Sequence, residues 1–92
     1  MRRVHVTVSG DVQGAGYRYT LQQVAQRAEV VGWVRNLRDG RVEAELEGED
    51  AAVASVLEWM SRGPAGAHVT GREVAEAAPA AGDTGFAVRR DG

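Results

Sequence analysis

Cysteine is absent from the 92 residues of this chain, so the chain can form neither a disulfide framework nor a thiolate metal site. It has two histidines, His5 and His68, and both lie on predicted strands. Neither histidine has an acidic or histidine neighbour at a spacing that is typical of metal ligands. The sequence therefore predicts no metal site.

Long apolar runs are absent as well. No stretch approaches the roughly 20 apolar residues that a membrane-spanning helix needs. The N-terminus is basic, but the polar residues His5, Thr7 and Ser9 interrupt the apolar run that a signal peptide would have. We therefore expect a cytoplasmic protein with no membrane partner.

Charge of one sign does not dominate, since the formal net charge is −2 at pH 7. The 11 basic side chains are all arginines and are dispersed along the chain. A nucleic-acid surface needs clustered cations that neutralise many phosphates. We therefore expect no nucleic-acid partner, and a single anion site fits this pattern better.

Residues 1–92 are expected to form one small domain, which would bury about 60–65% of its unfolded surface. Hydrophobic periodicity predicts β-α-β-β-α-β followed by a short edge strand. The predicted spans are 3–9, 18–29, 30–37, 41–47, a helix capped by Asp50 and stopped by Gly63-Pro64, 68–74 and 86–90. This order is typical of a ferredoxin-like α+β fold, a two-layer sandwich whose mixed sheet carries two helices on one face and is wet on the other.

A glycine-rich stretch joins the first strand to the first helix: Gly10-Asp11-Val12-Gln13-Gly14-Ala15-Gly16-Tyr17-Arg18. Glycines allow successive backbone N–H groups to form a concave nest, and the helix N-terminus adds a partial positive charge. The planar guanidinium of Arg18 can bind two phosphoryl oxygens at once. The stretch matches neither the P-loop nor the dinucleotide fingerprint, so it predicts a different kind of anion site. An ordinary connection with a solvated arginine remains the alternative.

Asn36 is expected to lie close to this stretch. In the predicted topology the first two strands are parallel with the third between them, so their carboxyl ends meet at one sheet edge. Arg18 follows the first strand and Asn36 ends the second, about 10 Å away across two strand spacings. The alternative is that Asn36 is simply a turn residue before Asp39-Gly40.

Together with this stretch, the motifs Gly32-Trp33-Val34-Arg35-Asn36 and Asp39-Gly40-Arg41-Val42-Glu43 make the chain resemble the acylphosphatase family. The resemblance covers nearly the whole chain, including Gly63-Pro64 and the terminal Phe86-Ala87-Val88-Arg89-Arg90. It implies hydrolysis of acyl phosphates to a carboxylate and inorganic phosphate, without a metal or organic cofactor. It also implies that Arg18 binds the phosphate and that Asn36 orients the attacking water.

The phosphate-binding residues expected from this resemblance are Gln13, Gly14, Ala15, Gly16, Tyr17 and Arg18. Ala15 stands where the family more often has valine, and Tyr17 where it more often has phenylalanine. Asp91-Gly92 extend past the usual end, which leaves their contacts to the site open. We expect a monomer.

A non-catalytic module is the alternative function, because ferredoxin-like domains also serve as ligand-binding regulators and as parts of larger carbamoyl-transfer proteins. The presence of both Arg18 and Asn36 in an isolated chain of this length favours the free enzyme.

Overall fold

Two helices pack on one face of a five-stranded sheet in the computed structural model, which describes residues 1–14, 16–79 and 82–92. The elements have the predicted order, and their bounds are β1 (Arg2–Asp11), α1 (Tyr17–Arg27), β2 (Val31–Asn36), β3 (Val42–Gly48), α2 (Asp50–Met60), β4 (His68–Ala77) and β5 (Phe86–Val88). The predicted ferredoxin-like arrangement is therefore confirmed, with shifts of a few residues at most element ends.

The sheet has the strand order β4-β1-β3-β2-β5. β3 pairs antiparallel with both β1 and β2, so β1 and β2 are parallel to each other and end at the same sheet edge. β5 pairs in parallel with β2 and forms one edge of the sheet, as predicted. This topology confirms the expected positions of the loop after β1 and the end of β2.

The alternation of apolar and polar residues along β1 and β3 explains which of their side chains form the core. Val4, Val6 and Val8 on β1 have no exposed surface, and the same holds for Val42, Ala44 and Leu46 on β3. The helices cover this face with two stripes of buried residues, Tyr17, Leu21 and Ala25 on α1 and Val53, Val56, Leu57 and Met60 on α2. Each large side chain that is fully buried in this way contributes about 1.5–3 kcal/mol.

The cap predicted for α2 is wrong. Asp50 is already the first helical residue, and Glu49, in an extended conformation, is the N-cap without a side-chain cap hydrogen bond. Asp50 instead lies in the first turn, where its negative charge interacts favourably with the helix dipole.

The opposite face of the sheet was expected to be wet, but ion pairs cover much of it. Arg3 is 5% exposed and its guanidinium contacts Glu45 at 2.7 Å, Asp83 at 2.8 Å and Glu47 at 3.3 Å. Burial alone would lower the pKa of Arg3, but hydrogen bonds to the three carboxylates raise it above its ordinary value. These contacts join β1, β3 and the segment before β5.

Candidate active site

The loop between β1 and α1 has a backbone that favours anions. Gly14 has φ 83° and Gly16 has φ 73°, both in the left-handed region that glycine adopts without strain. Gly16 is the N-cap of α1 and offers no side chain, and the first turn of α1 contains no acidic residue. No carboxylate of that turn therefore offsets the positive end of the helix dipole. Ala15, which the sequence also assigned to the site, lies outside the described residues.

Gln13 fastens this loop to the end of β2. Its side-chain Nε2 donates to the carbonyl oxygen of Leu37 at 2.7 Å and to that of Arg41 at 3.0 Å. Leu37 and Arg41 flank the turn between β2 and β3, and the backbone N–H of Leu37 donates to the Arg41 carbonyl. Gln13 therefore connects the two segments that carry the predicted site residues. The sequence had predicted a phosphate-binding role for the Gln13 backbone amide and no role for its side chain.

Tyr17 fixes the start of α1. The residue is 1% exposed, its ring packs on Trp59 with centroids 5.3 Å apart, and its hydroxyl donates to the Met60 carbonyl at 2.7 Å. Burial raises the pKa of this hydroxyl, which keeps it protonated as a donor. The backbone N–H of Tyr17 donates to the Gly14 carbonyl at 3.2 Å and closes the loop. The side chain of Tyr17 therefore anchors α1 to α2, and a phosphate contact from its amide remains a prediction.

Arg18 is partly buried, and its guanidinium contacts both an anion and an aromatic ring. Nη1 lies 3.3 Å from the carboxylate Oδ1 of Asp91, and Cζ lies 5.8 Å from the ring centroid of Tyr19. Gly92 also approaches the site, since its N–H donates to the main-chain oxygen of Asn36 at 2.8 Å. The chain's last two residues therefore contact both predicted catalytic residues, which answers the question that the sequence left open.

Asn36 is the last residue of β2, paired with Val42 of β3 and directly before the turn that begins at Leu37. It is 7% exposed. Its side-chain Oδ1 is buried and has no hydrogen-bond partner among the described residues. An unpaired buried acceptor costs about 1–3 kcal/mol, so proteins seldom keep one without a use for it.

A cavity of about 210 Å³ joins these groups. Sites for drug-sized ligands measure about 300–1,000 Å³, so this cavity suits a smaller group such as a phosphoryl. It is lined by Val12, Gly14, Gly16, Tyr17, Arg18, Tyr19 and Asn36. Its lining thus combines the Arg18 cation, residues at the N-terminus of α1 and Asn36.

Sequence reasoning did not place two neighbours of Arg18 at the site, although it left the contacts of Asp91 open. Asp91 reaches Arg18 from 73 positions away, and no local pattern signals such a contact. Tyr19 follows Arg18 directly and could have been noticed as an aromatic residue on the polar side of the predicted helix.

Residues 1–14, 16–79 and 82–92 contain neither a metal-binding cluster nor a helix that could span a membrane. Over these ranges, no group of three or more His, Asp or Glu side chains is arranged to hold a metal ion. Nor does any helix in the same part of the chain have the length and apolarity needed to cross a bilayer.

Residues 4–88 match the acylphosphatase family model. An acylphosphatase from Methylococcus capsulatus is 50% identical over 91 residues, which cover 99% of each chain. The crystal structure of acylphosphatase from Bacillus subtilis is similar with a TM-score of 0.92 and 36% identity, covering 97% of this chain and 99% of that one. HypF from T. kodakarensis is similar with a TM-score of 0.83 and 28% identity, over 97% of this chain but only 12% of that longer chain.

Proposed function

Because the chain belongs to the acylphosphatase family, we propose that it hydrolyses acyl phosphates in the cavity between Arg18 and Asn36. The observation that carries this proposal is that Arg18 and Asn36 line one cavity and that the buried Oδ1 of Asn36 has no hydrogen-bond partner among the described residues. The catalytic unit is the domain of residues 1–92, and the products are a carboxylate and inorganic phosphate.

Arg18 and the loop amides bind the phosphoryl group. The guanidinium forms charge-assisted hydrogen bonds to two of its oxygens, and the amides from Gln13 to Arg18, with Gly14, Ala15, Gly16 and Tyr17 between them, surround the remaining charge. The left-handed backbone at Gly14 and Gly16 and the uncapped N-terminus of α1 support this role.

Asn36 orients the nucleophile. Its Oδ1 accepts a hydrogen from a water molecule, which then attacks phosphorus in line with the leaving oxygen. The bond from water oxygen to phosphorus forms, the anhydride P–O bond breaks, and the water protons remain with the phosphate. Phosphoryl transfer has a loose transition state and a carboxylate leaves without a proton, so positioning and charge neutralisation suffice and no general acid is required.

The direct test is turnover of benzoyl phosphate by the purified chain, followed as loss of the acyl phosphate and release of inorganic phosphate. We expect enzyme-dependent hydrolysis well above the spontaneous rate in buffer. Because a fold does not by itself determine function, a non-catalytic binding module is the competing function. Saturable phosphate binding without turnover would favour that module and contradict the proposal.

Chelation should leave the activity unchanged, because Arg18 and the N-terminus of α1 supply the positive charge at the site. We expect equal kcat and KM before and after exhaustive treatment with EDTA. Loss of turnover that magnesium restores would contradict this expectation.

Inorganic phosphate, the product, should stabilise the folded protein, since the loop and Arg18 form a binding site only in the folded state. At 100 times Kd such a ligand adds about 2.7 kcal/mol, which raises Tm by about 10 °C or more in a domain of this size. Calorimetry in phosphate, with chloride of equal ionic strength as the control, measures this. An unchanged Tm at phosphate concentrations that inhibit turnover would contradict the assignment of the site.

Asp91 should weaken phosphate binding, because its carboxylate occupies the Arg18 guanidinium that the phosphate needs. Exposed ion pairs are worth about 0–1 kcal/mol, so Asp91→Asn should lower the phosphate Ki by up to about fivefold. Glu76→Gln is the matched control, since it also removes one exposed carboxylate from an arginine pair, with Arg2 near the other end of β1. An equal change in both variants would mean that only net charge matters.

A further inference from the structure

Tyr19 is an exposed aromatic residue that is not part of the hydrophobic core. Among the described residues, the large apolar side chains that are exposed are Met1, Tyr19 and Val74, and of these Tyr19 alone lines the cavity. Tyr19 is 60% exposed, whereas Tyr17, two positions earlier, is 1% exposed. An exposed ring at the mouth of a polar cavity offers a contact surface to whatever extends out of that cavity.

The geometry of in-line displacement indicates which part of the substrate extends out of the cavity. In the proposed mechanism the attacking water is held by Asn36, which is 7% exposed, whereas Tyr19, which lines the same cavity, is 60% exposed. In-line displacement requires the leaving carboxylate to lie on the side of the phosphorus opposite to this water, away from Asn36. Val12 and Tyr17 are each 1% exposed, and Gly14 and Gly16 have no side chain. The ring of Tyr19 is therefore the apolar side-chain surface that the acyl group can contact there.

We propose that Tyr19 is the acyl-group contact of this site and that it favours aromatic acyl phosphates over small aliphatic ones. This inference rests on the proposed function and adds a substrate class to it. The ring lies beside Arg18, with its centroid 5.8 Å from Cζ, so a bound phosphoryl group on the guanidinium brings its acyl substituent within reach of the ring. A flat aromatic acyl group can stack on the ring, whereas an acetyl group offers little surface.

The competing explanation is that the ring only holds the guanidinium by a cation–π contact. In that case Tyr19 would act on the phosphoryl group through Arg18, and its removal would weaken every phosphate ligand alike. The two roles therefore differ in whether the effect depends on the acyl group.

The test measures kcat and KM for benzoyl phosphate and acetyl phosphate, and the Ki of inorganic phosphate, in the wild-type protein, Tyr19→Phe and Tyr19→Ala. Gln23→Ala is the control, since Gln23 is an exposed residue one turn further along α1 and does not line the cavity. We expect Tyr19→Ala to raise KM for benzoyl phosphate by about 3–10-fold, the usual strength of an aromatic contact. KM for acetyl phosphate and Ki for phosphate should stay within about twofold, and Tyr19→Phe and Gln23→Ala should behave like the wild-type protein.

An unchanged ratio of the two KM values in Tyr19→Ala would overturn this inference but not the proposed function. So would an equal loss for both substrates and phosphate, which would make Tyr19 a positioning residue for Arg18. A wild-type protein that hydrolyses neither substrate would overturn the proposed function and this inference with it.

Discussion

Replacement of Arg18 by alanine should lower kcat for benzoyl phosphate by roughly 10³–10⁵, by analogy with arginines that neutralise a transferring phosphoryl group. The guanidinium is the strong cation of the cavity lining, and the loop amides alone carry only partial charges. The same substitution should abolish the competition by inorganic phosphate and its effect on Tm. Steady-state kinetics and calorimetry measure the two effects independently.

Two further variants separate charge from geometry. Arg18→Lys keeps the positive charge but cannot bind two oxygens in a planar fork, so its kcat should fall between those of the wild-type protein and Arg18→Ala. Arg27→Ala, at the other end of the same helix, should behave like the wild-type protein. Wild-type phosphate affinity in Arg18→Ala would show that the loop is not the phosphate site.

Asp91 must be considered in the same experiment, because Arg18→Ala leaves its carboxylate without its arginine partner beside the cavity. That negative charge repels a phosphoryl dianion. Arg18→Ala with Asp91→Asn should therefore bind phosphate better than Arg18→Ala alone, although more weakly than the wild-type protein. If the second substitution has no effect in the absence of Arg18, Asp91 influences phosphate only through the arginine.

Replacement of Asn36 by alanine is expected to lower kcat by about 10²–10³ while KM stays nearly constant, because it removes the acceptor for the water and leaves the phosphate loop intact. The variant should be at least as stable as the wild-type protein, since the Oδ1 it removes is buried and unpaired among the described residues. Loss of activity without loss of Tm is the result that separates a functional from a structural asparagine.

Asn36→Asp provides the matched comparison, because it keeps the acceptor oxygen and the size but adds a negative charge. At about 5 Å and an effective dielectric constant near 20, the repulsion is about 3 kcal/mol for each charge on the phosphoryl group. This variant should therefore also raise KM and the phosphate Ki, and salt should relieve part of the penalty if water reaches the site. Equal kinetics in the two variants, or an unaltered kcat in Asn36→Ala, would mean that Asn36 only ends β2.

The sequence by itself determined the fold and the neighbourhood of the site. Strict alternation at Val4, Val6 and Val8, with helical stripes on α1 and α2, indicated which surfaces must be buried. A strand, helix, strand connection makes β1 and β2 parallel, so the topology alone brings Arg18 and Asn36 to one sheet edge. These inferences succeed because periodicity within an element and the handedness of its connections are local properties of the chain.

Only the tertiary structure decided how the site is held and what surrounds it. The Gln13 side chain contacts residues 24 and 28 positions away, and Asp91 reaches Arg18 over 73 positions. The burial of Asn36 Oδ1, with no partner among the described residues, and the exposure of Tyr19 are likewise results of packing. A sequence pattern reports which face of an element is apolar. It does not report which atoms of distant segments meet at a strand end, because that depends on the packing of every element between them.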